Sequence, residues 1–315
     1  MNLHEDFTVR TDLADEKEEF LKERDGENLT GIIVNRKKIN GFDVSIMNVL
    51  TKEGEEASGK PVGKYVTVDV GKIWMSDKKT FSDACNIISS FIKKFIPENG
   101  SCMLAALGNK NIIADAIGPL TAENFIVTKH IKDSDSEMFE TLNLRETLCI
   151  SPGVLGNTGI EAAKIIKGAV IESDPSFIIA VDSLASRKLS RLATTVQICN
   201  TGITPGSGIN NSRKEISENT LGIPVIAIGV PTVVDVTTLA SDIIRNAAEK
   251  TDDRDINVSL HRVLDTIALK EAENFFVTPK ETDHIIKDTS KLIGYSINMA
   301  LHDGITLSEI DEFVS

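Results

Sequence analysis

The chain has 315 residues, of which 41% are hydrophobic and 26% are charged, so it can bury one large core or two moderate ones. Its 47 acidic and 34 basic residues give a net charge of -13, which repels nucleic-acid backbones and anionic lipid headgroups. Because no apolar run approaches the roughly 20 residues of a membrane span, and the N-terminus MNLHEDFTVR lacks a secretory apolar stretch, we expect a cytoplasmic protein.

The N-terminal quarter predicts a small antiparallel β unit between about residues 31 and 75. Short β-like pieces, GIIV, FDVSIMNVL and YVTVDV, alternate there with charged, glycine-rich turns. From Thr80 to Ile96, apolar residues recur at spacings of three and four, and Pro97 ends the pattern. This second segment is therefore predicted to form an amphipathic helix.

After that helix the chain changes to short, almost wholly apolar runs separated by helical or loop segments. The runs are CMLAAL (102–107), FIIAVD (177–182), TVQIC (195–199) and IPVIAIG (223–229). Strands that are covered on both faces have this pattern. We therefore expect an α/β fold with a mostly parallel open sheet. Helices are predicted on both of its faces, at 158–172, 183–192 and 232–249, with a helical C-terminal tail from 261.

Two aspartates follow separate runs of this predicted sheet. CMLAAL leads through Gly108 to Asp115, and FIIAV ends directly on Asp182. Functional groups of open α/β sheets collect at the carboxyl ends of the strands, so we expect a site there. Two carboxylates in a partly desolvated crevice share one proton, which supplies both an acid and a base. Such a pair can activate water against a peptide carbonyl without a covalent intermediate.

Simpler roles compete with this one. An aspartate that follows a strand commonly caps the next helix, and from position alone that role is favoured for both residues. A buried ion pair without any chemistry is a further alternative for Asp115.

Other motifs give weaker indications of a site. The segment 200–215 contains Gly202, Gly206 and Gly208, whose backbone N–H groups could contact a phosphate or an extended peptide, but it lacks the Gly-Lys-Ser/Thr end of a P-loop. Ser207 does not fit the G-x-S-x-G pattern of serine hydrolases. The five histidines lack metal-ligand spacing, and the four isolated cysteines are predicted to be reduced, buried thiols. A carboxylate-rich metal site formed by the two aspartates and one histidine remains open.

Several segments together resemble one family, the germination proteases of endospore-forming bacteria, which are endopeptidases that degrade small acid-soluble spore proteins. The matching segments cover nearly the whole chain in order, and those between 200 and 235 are the most specific. They are FTVRTDLADE, LGNKNIIADAIGP, ENFIVTKHI, SPGVLGNTGIE, FIIAVDSLASR, TGITPGSGINNSRKE, LGIPVIAIGVPTVVD and FFVTPKETDHII.

The resemblance implies an atypical aspartic-type endopeptidase of the spore core, in which Asp115 and Asp182 carry the reaction without a cofactor. It also implies a homotetramer whose substrates are small acid-soluble spore proteins. The implied fold is similar to that of hydrogenase maturation endopeptidases, whose metal-binding acidic residues lie at comparable strand ends. A metal-dependent peptidase that uses the same two aspartates as ligands is therefore the alternative. A third possibility is an oligomeric protein that binds extended peptides without cleaving them.

Members of this family are made as zymogens, which implies a propeptide of residues 1–12 and a protease domain of residues 13–315, with its β-rich subdomain at about 31–75. The implied cleavage lies between Asp12 and Leu13. The sequence Thr-acid-apolar-Ala around that bond resembles the sites that the family cuts in spore proteins, so the arm would imitate a substrate. Without the resemblance, the same residues indicate an ordinary acidic arm before a helix.

Overall fold

The computed structural model of the chain describes residues 10–26, 29–206, 213–249 and 275–314. Its strands are β1 Ile32–Ile39, β2 Phe42–Val49, β3 Gly63–Asp69, β4 Cys102–Ala106, β5 Thr147–Ile150, β6 Phe177–Ser186, β7 Thr195–Cys199, β8 Val225–Asp235 and β9 Phe276–Val277. They form one sheet in the order β1-β2-β3-β7-β8-β6-β4-β5, with β9 beside β8.

The helices lie between these strands and after them. They are α1 Ala14–Asp25, α2 Lys52–Ser58, α3 Lys78–Ile92, α4 Ile117–Ala122, α5 Lys129–Ser134, α6 Ser136–Leu142, α7 Leu155–Thr158, α8 Ala162–Ser173, α9 Glu218–Leu221, α10 Val236–Glu249, α11 Thr282–Leu301 and α12 Leu307–Val314. Three short 3-10 turns occur at Ile73–Met75, Ile113–Asp115 and Leu189–Arg191.

The α/β class is confirmed, but the sheet is mixed, and the expectation of a mostly parallel sheet holds only for β5, β4, β6 and β8. β4 is parallel to β5 and to β6, and β6 is parallel to β8. The remaining pairings among the described strands are antiparallel. An apolar run indicates burial on both faces, and a central antiparallel strand such as β7 has that burial too. The direction of such a strand therefore cannot be taken from its composition.

The N-terminal β unit is antiparallel, as predicted, and it extends the main sheet. β1, β2 and β3 form a meander, and β3 then pairs with β7 from Tyr65↔Cys199 to Asp69↔Thr195. Because backbone hydrogen bonds run without a break from the meander into the central strands, these residues share one sheet with the rest of the chain.

Helices cover both faces of the sheet, as expected. On one face, α3 and α11 pack with apolar residues of β3, β6, β7 and β8 in the largest core cluster. On the other face, α8 packs on the alternate residues of β4, β6 and β8. α3 begins where the Asp77 carboxylate accepts the Thr80 N–H at 2.7 Å, a normal N-cap, and it buries one apolar stripe. The amphipathic helix predicted there is thus confirmed.

Two of the predicted helices need correction. The segment 183–192 is not a helix, because β6 continues past a bulge at Leu184/Ala185 and pairs with β8 as far as Ser186↔Val234. For the same reason β8 extends to Asp235, and α10 begins four residues later than position 232. The C-terminal tail is helical in α11 and α12, while the part of the prediction between 261 and 274 lies outside the described residues.

The remaining composition-based expectations concern thiols and membrane spans. All four cysteines are free, with Cys85, Cys102 and Cys199 buried and Cys149 half-buried. Within the residues that the structure describes, no helix combines the length and apolar character needed to cross a bilayer.

Candidate active site

A cleft of about 380 Å³ opens where β4 ends beside β6 and β8. Its walls come from the loop after β4, the second half of β6, the segment around Arg213 and the N-terminal arm before α1. Three aspartates line it, namely Asp12, Asp115 and Asp182. The structure therefore brings both aspartates that the sequence singled out to one cavity, together with the residue before the implied cleavage point.

Asp182 lies inside β6, not at its end. β4 pairs with β6 only as far as Ala106↔Val181, so among the described strands none pairs with β6 on that side from Asp182 onward. The side chain is 5% exposed, and one of its oxygens accepts the backbone N–H of Ser183 at 2.9 Å. Because a strand follows it and not a helix, the capping role considered for Asp182 is wrong.

Asp115 ends the 3-10 turn after β4, and backbone contacts fix this loop. The Asn109 N–H donates to the Asp115 carbonyl at 2.9 Å, and the Thr232 hydroxyl of β8 donates to the Ala114 carbonyl at 2.6 Å. The N-cap of α4 is Ala116, and no side chain caps that helix. A capping role for Asp115 is therefore wrong as well.

Gly108 permits this loop geometry. Its φ of +110° is in the region that favours glycine, and a Cβ at this position would lie 2.0 Å from the Asp115 carbonyl oxygen. The close approach lets the chain turn back immediately after β4 and returns Asp115 to the strand end.

Burial raises the pKa of both carboxyl groups. The pKa of Asp115 is raised to about 6, because desolvation outweighs the lowering effects of the Asn109 N–H and of Arg213. The pKa of Asp182 is raised well above its usual value by deeper burial and by repulsion from the Asp115 carboxylate. Since two such carboxylates do not both ionise readily, the site can hold one proton near neutral pH. That state contains a carboxylate base and a carboxylic acid.

The N-terminal arm lies across this cleft before α1 begins. Asp12 forms two contacts with the backbone of Ala185: its N–H donates to the Ala185 carbonyl at 2.9 Å, and its carboxylate accepts the Ala185 N–H at 2.9 Å. Leu13 and Ala14, which follow, are fully buried. The Asp12–Leu13 peptide bond is thus enclosed by the protein, and Asp12 lines the cleft that contains the two aspartates.

Two polar side chains contact the carbonyl of this enclosed peptide bond. The Asp12 carbonyl oxygen accepts from Lys60 Nζ at 2.7 Å and from Gln197 Nε2 at 3.1 Å. The other end of the Gln197 amide accepts the Ala14 N–H at 2.7 Å. Sequence analysis missed both residues. The signal for Gln197 was its position as a polar residue inside the apolar run TVQIC, whereas nothing in the sequence distinguished Lys60 from other surface lysines.

The first turn of α1 anchors the arm on its other side. The buried Glu16 carboxylate accepts the backbone N–H groups of Arg187 and Lys188, at 2.6 and 3.0 Å, just after β6. Asp15 forms an ion pair with Arg191 at 2.7 Å. Upstream, the Arg10 guanidinium binds the buried Asp235 carboxylate at 2.8 Å. The arm is therefore attached on both sides of the Asp12–Leu13 bond.

Of the other candidates from the sequence, Gly206 of the segment 200–215 lines this cleft, whereas none of the described histidines does. His302 is buried elsewhere and accepts the Arg145 N–H, while His284 pairs with Asp288. Ser207 lies outside the described residues. Among the residues described, no group of three or more His, Cys, Asp or Glu side chains could hold a metal ion.

Comparison with known proteins finds one peptidase family and several relatives that carry the same name. A peptidase family model described as Germination protease matches residues 9–251. A germination protease of Clostridium perfringens is 38% identical over 326 aligned positions, covering 98% of this chain and all of the relative. The corresponding protein of Caldanaerobacter subterraneus is 37% identical, covering 97% and 98% of the two chains. That of Bacillus pumilus is 34% identical, covering 98% and 97%.

Proposed function

This chain belongs to the germination protease family of peptidases, and from that premise we propose that it is a zymogen endopeptidase whose Asp115–Asp182 pair activates water. The observation that carries the proposal is the placement of both aspartates in one cleft with the enclosed Asp12–Leu13 bond. We propose residues 1–12 as the propeptide and 13–315 as the protease domain.

In the proposed reaction the less buried carboxylate, Asp115, is the base and the more buried carboxyl, Asp182, holds the proton. Asp115 takes a proton from water as the water oxygen bonds to the carbonyl carbon. When the tetrahedral intermediate breaks its C–N bond, Asp182 gives its proton to the leaving amine. The proton now on Asp115 then redistributes between the two groups, which restores the starting state without a covalent intermediate.

The contacts of the arm support a preference for an acidic residue before the cut bond and small or apolar residues after it. The Ala185 N–H accommodates the Asp12 carboxylate, and a charge-assisted bond of this kind is stronger than a neutral one. Leu13 and Ala14 are fully buried, and inserting a larger residue at a packed position costs stability, which favours small or apolar residues there. We propose small acid-soluble spore proteins as the substrates, with the arm as an internal copy of their cleavage sequence.

Incubation of the purified full chain, followed by mass spectrometry, tests this function. We expect removal of residues 1–12 from the chain itself. We also expect cleavage of a small acid-soluble spore protein, and of a synthetic peptide spanning residues 6–18, directly after the acidic residue of the cleavage sequence. A protein that only sequesters peptides would bind them without product. Cleavage that is lost on exhaustive chelation and restored by added metal would instead favour the metal-dependent alternative.

The raised pKa of Asp115 predicts the acid side of the pH profile. Because the base must be charged, and its pKa is raised to about 6, kcat should fall about tenfold per unit below that pH. On the alkaline side kcat should fall only where Asp182, whose pKa is raised well above its usual value, loses its proton. Steady-state hydrolysis of the peptide between pH 4 and 8 measures this. Arg213→Gln should move the midpoint to higher pH, since the Arg213 charge lowers the pKa of Asp115. An unchanged midpoint in that variant would argue against Asp115 as the base.

We further propose that the chain assembles as a homotetramer and acts in the spore core, as the family resemblance implies. Light scattering of the purified protein gives the particle mass, and fractionation of spores gives the location. A monomeric particle would contradict the proposed assembly.

A further inference from the structure

We infer that Lys60 and Gln197 form the oxyanion site of this peptidase, which stabilises the negative charge that develops on the carbonyl oxygen of the cut bond. The inference rests on the proposed function, because it takes the Asp12–Leu13 bond as the bond that is cleaved. It assigns a chemical role to two residues outside the aspartate pair.

The first observation is that two N–H donors from different parts of the fold converge on one carbonyl oxygen. Lys60 follows α2, and Gln197 lies in the middle of β7. Their nitrogens are 2.7 and 3.1 Å from the Asp12 carbonyl oxygen, which are normal hydrogen-bond lengths. Lys60 adds a full positive charge, and a charged donor forms the stronger type of hydrogen bond to an oxygen that becomes negative.

The second observation is that Gln197 contacts the chain on both sides of the cut bond. Its amide nitrogen donates to the Asp12 carbonyl, and its amide oxygen accepts the Ala14 N–H. One planar group thereby fixes the Asp12–Leu13 peptide unit and the Leu13–Ala14 unit that follows it. Ala185 holds Asp12 through its own backbone contacts, so the carbonyl has a defined orientation.

Neighbouring segments fix the backbone at both donors, and both side chains already contact the carbonyl oxygen. Gln197 is 6% exposed, and its backbone pairs with Thr67 of β3 and with Gly229 of β8. Gly59 ends α2 in the left-handed region at φ +63°, and the Ser58 hydroxyl accepts the Lys60 N–H at 3.2 Å. Donors that are already oriented need no reorganisation in the transition state, which is the condition for effective electrostatic stabilisation.

Asp12 also lies next to the aspartate pair. Asp12 lines the same cleft as Asp115 and Asp182, and repulsion from the Asp12 carboxylate contributes to the raised pKa of Asp182. Lys60 and Gln197 line a second cavity that shares Asp12 and Leu184 with this cleft, so Asp12 connects the two donors to the acid and the base. This arrangement provides the parts needed to cleave an amide by direct attack of water.

The test compares Lys60→Met, Gln197→Met and Gln197→Glu with the unsubstituted chain. The first-order rate of self-processing is measured on the full chain. kcat and KM for the 6–18 peptide are measured on protein processed by a trace of the unsubstituted enzyme. Gln197→Glu keeps an oxygen for the Ala14 N–H but removes the donor to the carbonyl. Lys52→Met is the matched control, because that lysine is 81% exposed and contacts Glu55.

We expect each of the three variants to lower kcat and the self-processing rate by about 100-fold, the effect of removing one oxyanion donor. KM should change less than threefold, Lys60→Arg should recover part of the rate, and Lys52→Met should have no effect. An unchanged kcat in Lys60→Met with a raised KM would overturn the inference and leave Lys60 as a binding contact. If the Gln197 variants fail to fold, the kcat and KM of the Lys60 variants alone test the inference.

The aspartate variants separate this outcome from failure of the proposed function. If Asp115→Asn and Asp182→Asn are inactive while Lys60→Met has normal kcat, only the oxyanion assignment fails. If the aspartate variants retain cleavage, the proposed reaction itself is wrong.

Discussion

Replacement of Asp115 or Asp182 by asparagine is expected to lower both peptide hydrolysis and self-processing by about 10²- to 10⁴-fold, the usual contribution of a general acid or base. Asparagine has nearly the same size, so Asp115→Asn removes the base and Asp182→Asn removes the acid without opening a cavity. Mass spectrometry of the full chain and the kinetics of the 6–18 peptide measure the two losses.

The fold should survive these changes. Burial penalises the charged form of both groups, so a neutral amide at Asp182 should leave the melting temperature unchanged or raise it slightly. Asp303→Asn is a suitable control, because that carboxylate is 89% exposed and pairs with Lys93 on the surface. Self-processing at the normal rate in both aspartate variants would contradict the proposed reaction.

Gly108→Ala is expected to lower activity by about 100-fold or more while the chain remains folded. The new Cβ would lie 2.0 Å from the Asp115 carbonyl oxygen and 3.1 Å from its carboxylate, so the loop that carries Asp115 must move. A shift of about 1 Å in a catalytic group commonly costs 100-fold in rate. The strained φ and the contact together should lower the free energy of unfolding by about 1–3 kcal/mol. Peptide kinetics and urea unfolding give the two values.

The Gly41→Ala variant separates the effect of the backbone conformation from the effect of the close contact with Asp115. Gly41 has a similar φ of +91°, but nothing lies within 4 Å of its Cβ position. This control should show the loss of stability that comes from the backbone conformation and retain full activity. Normal activity in Gly108→Ala would mean that the close approach to Asp115 is not needed for the reaction.

Part of this site could be predicted because it depends on a general property of sheets. Asp115 and Asp182 follow apolar runs, and adjacent parallel strands such as β4 and β6 place their carboxyl ends at the same edge. That rule predicts from the sequence alone that both residues lie at one site. The apolar runs also predicted the α/β class and the helices on both faces, because burial on two faces requires a covering layer on each.

The rest depends on contacts between distant segments, which local patterns do not contain. The stretch after Asp182 continues as a strand because β8 and the arm pair with it, although its own residues are compatible with a helix. Lys60 meets Asp12 across 48 positions and Gln197 meets it across 185, and no spacing rule connects them. The direction of β7 likewise follows from its partners β3 and β8.

The enclosed bond between Asp12 and Leu13 also has a consequence for what happens after it is cut. Hydrolysis turns one neutral amide into two ions, a carboxylate and an ammonium, in a space where Leu13 is fully shielded from solvent. Holding new ions out of water costs several kcal/mol, so the severed arm should be expelled rather than remain as an inhibitor. The freed amine begins at the positive end of α1, where Asp15 and Glu16 supply opposite charge. Activation would therefore run in one direction and leave the cleft vacant for an incoming protein.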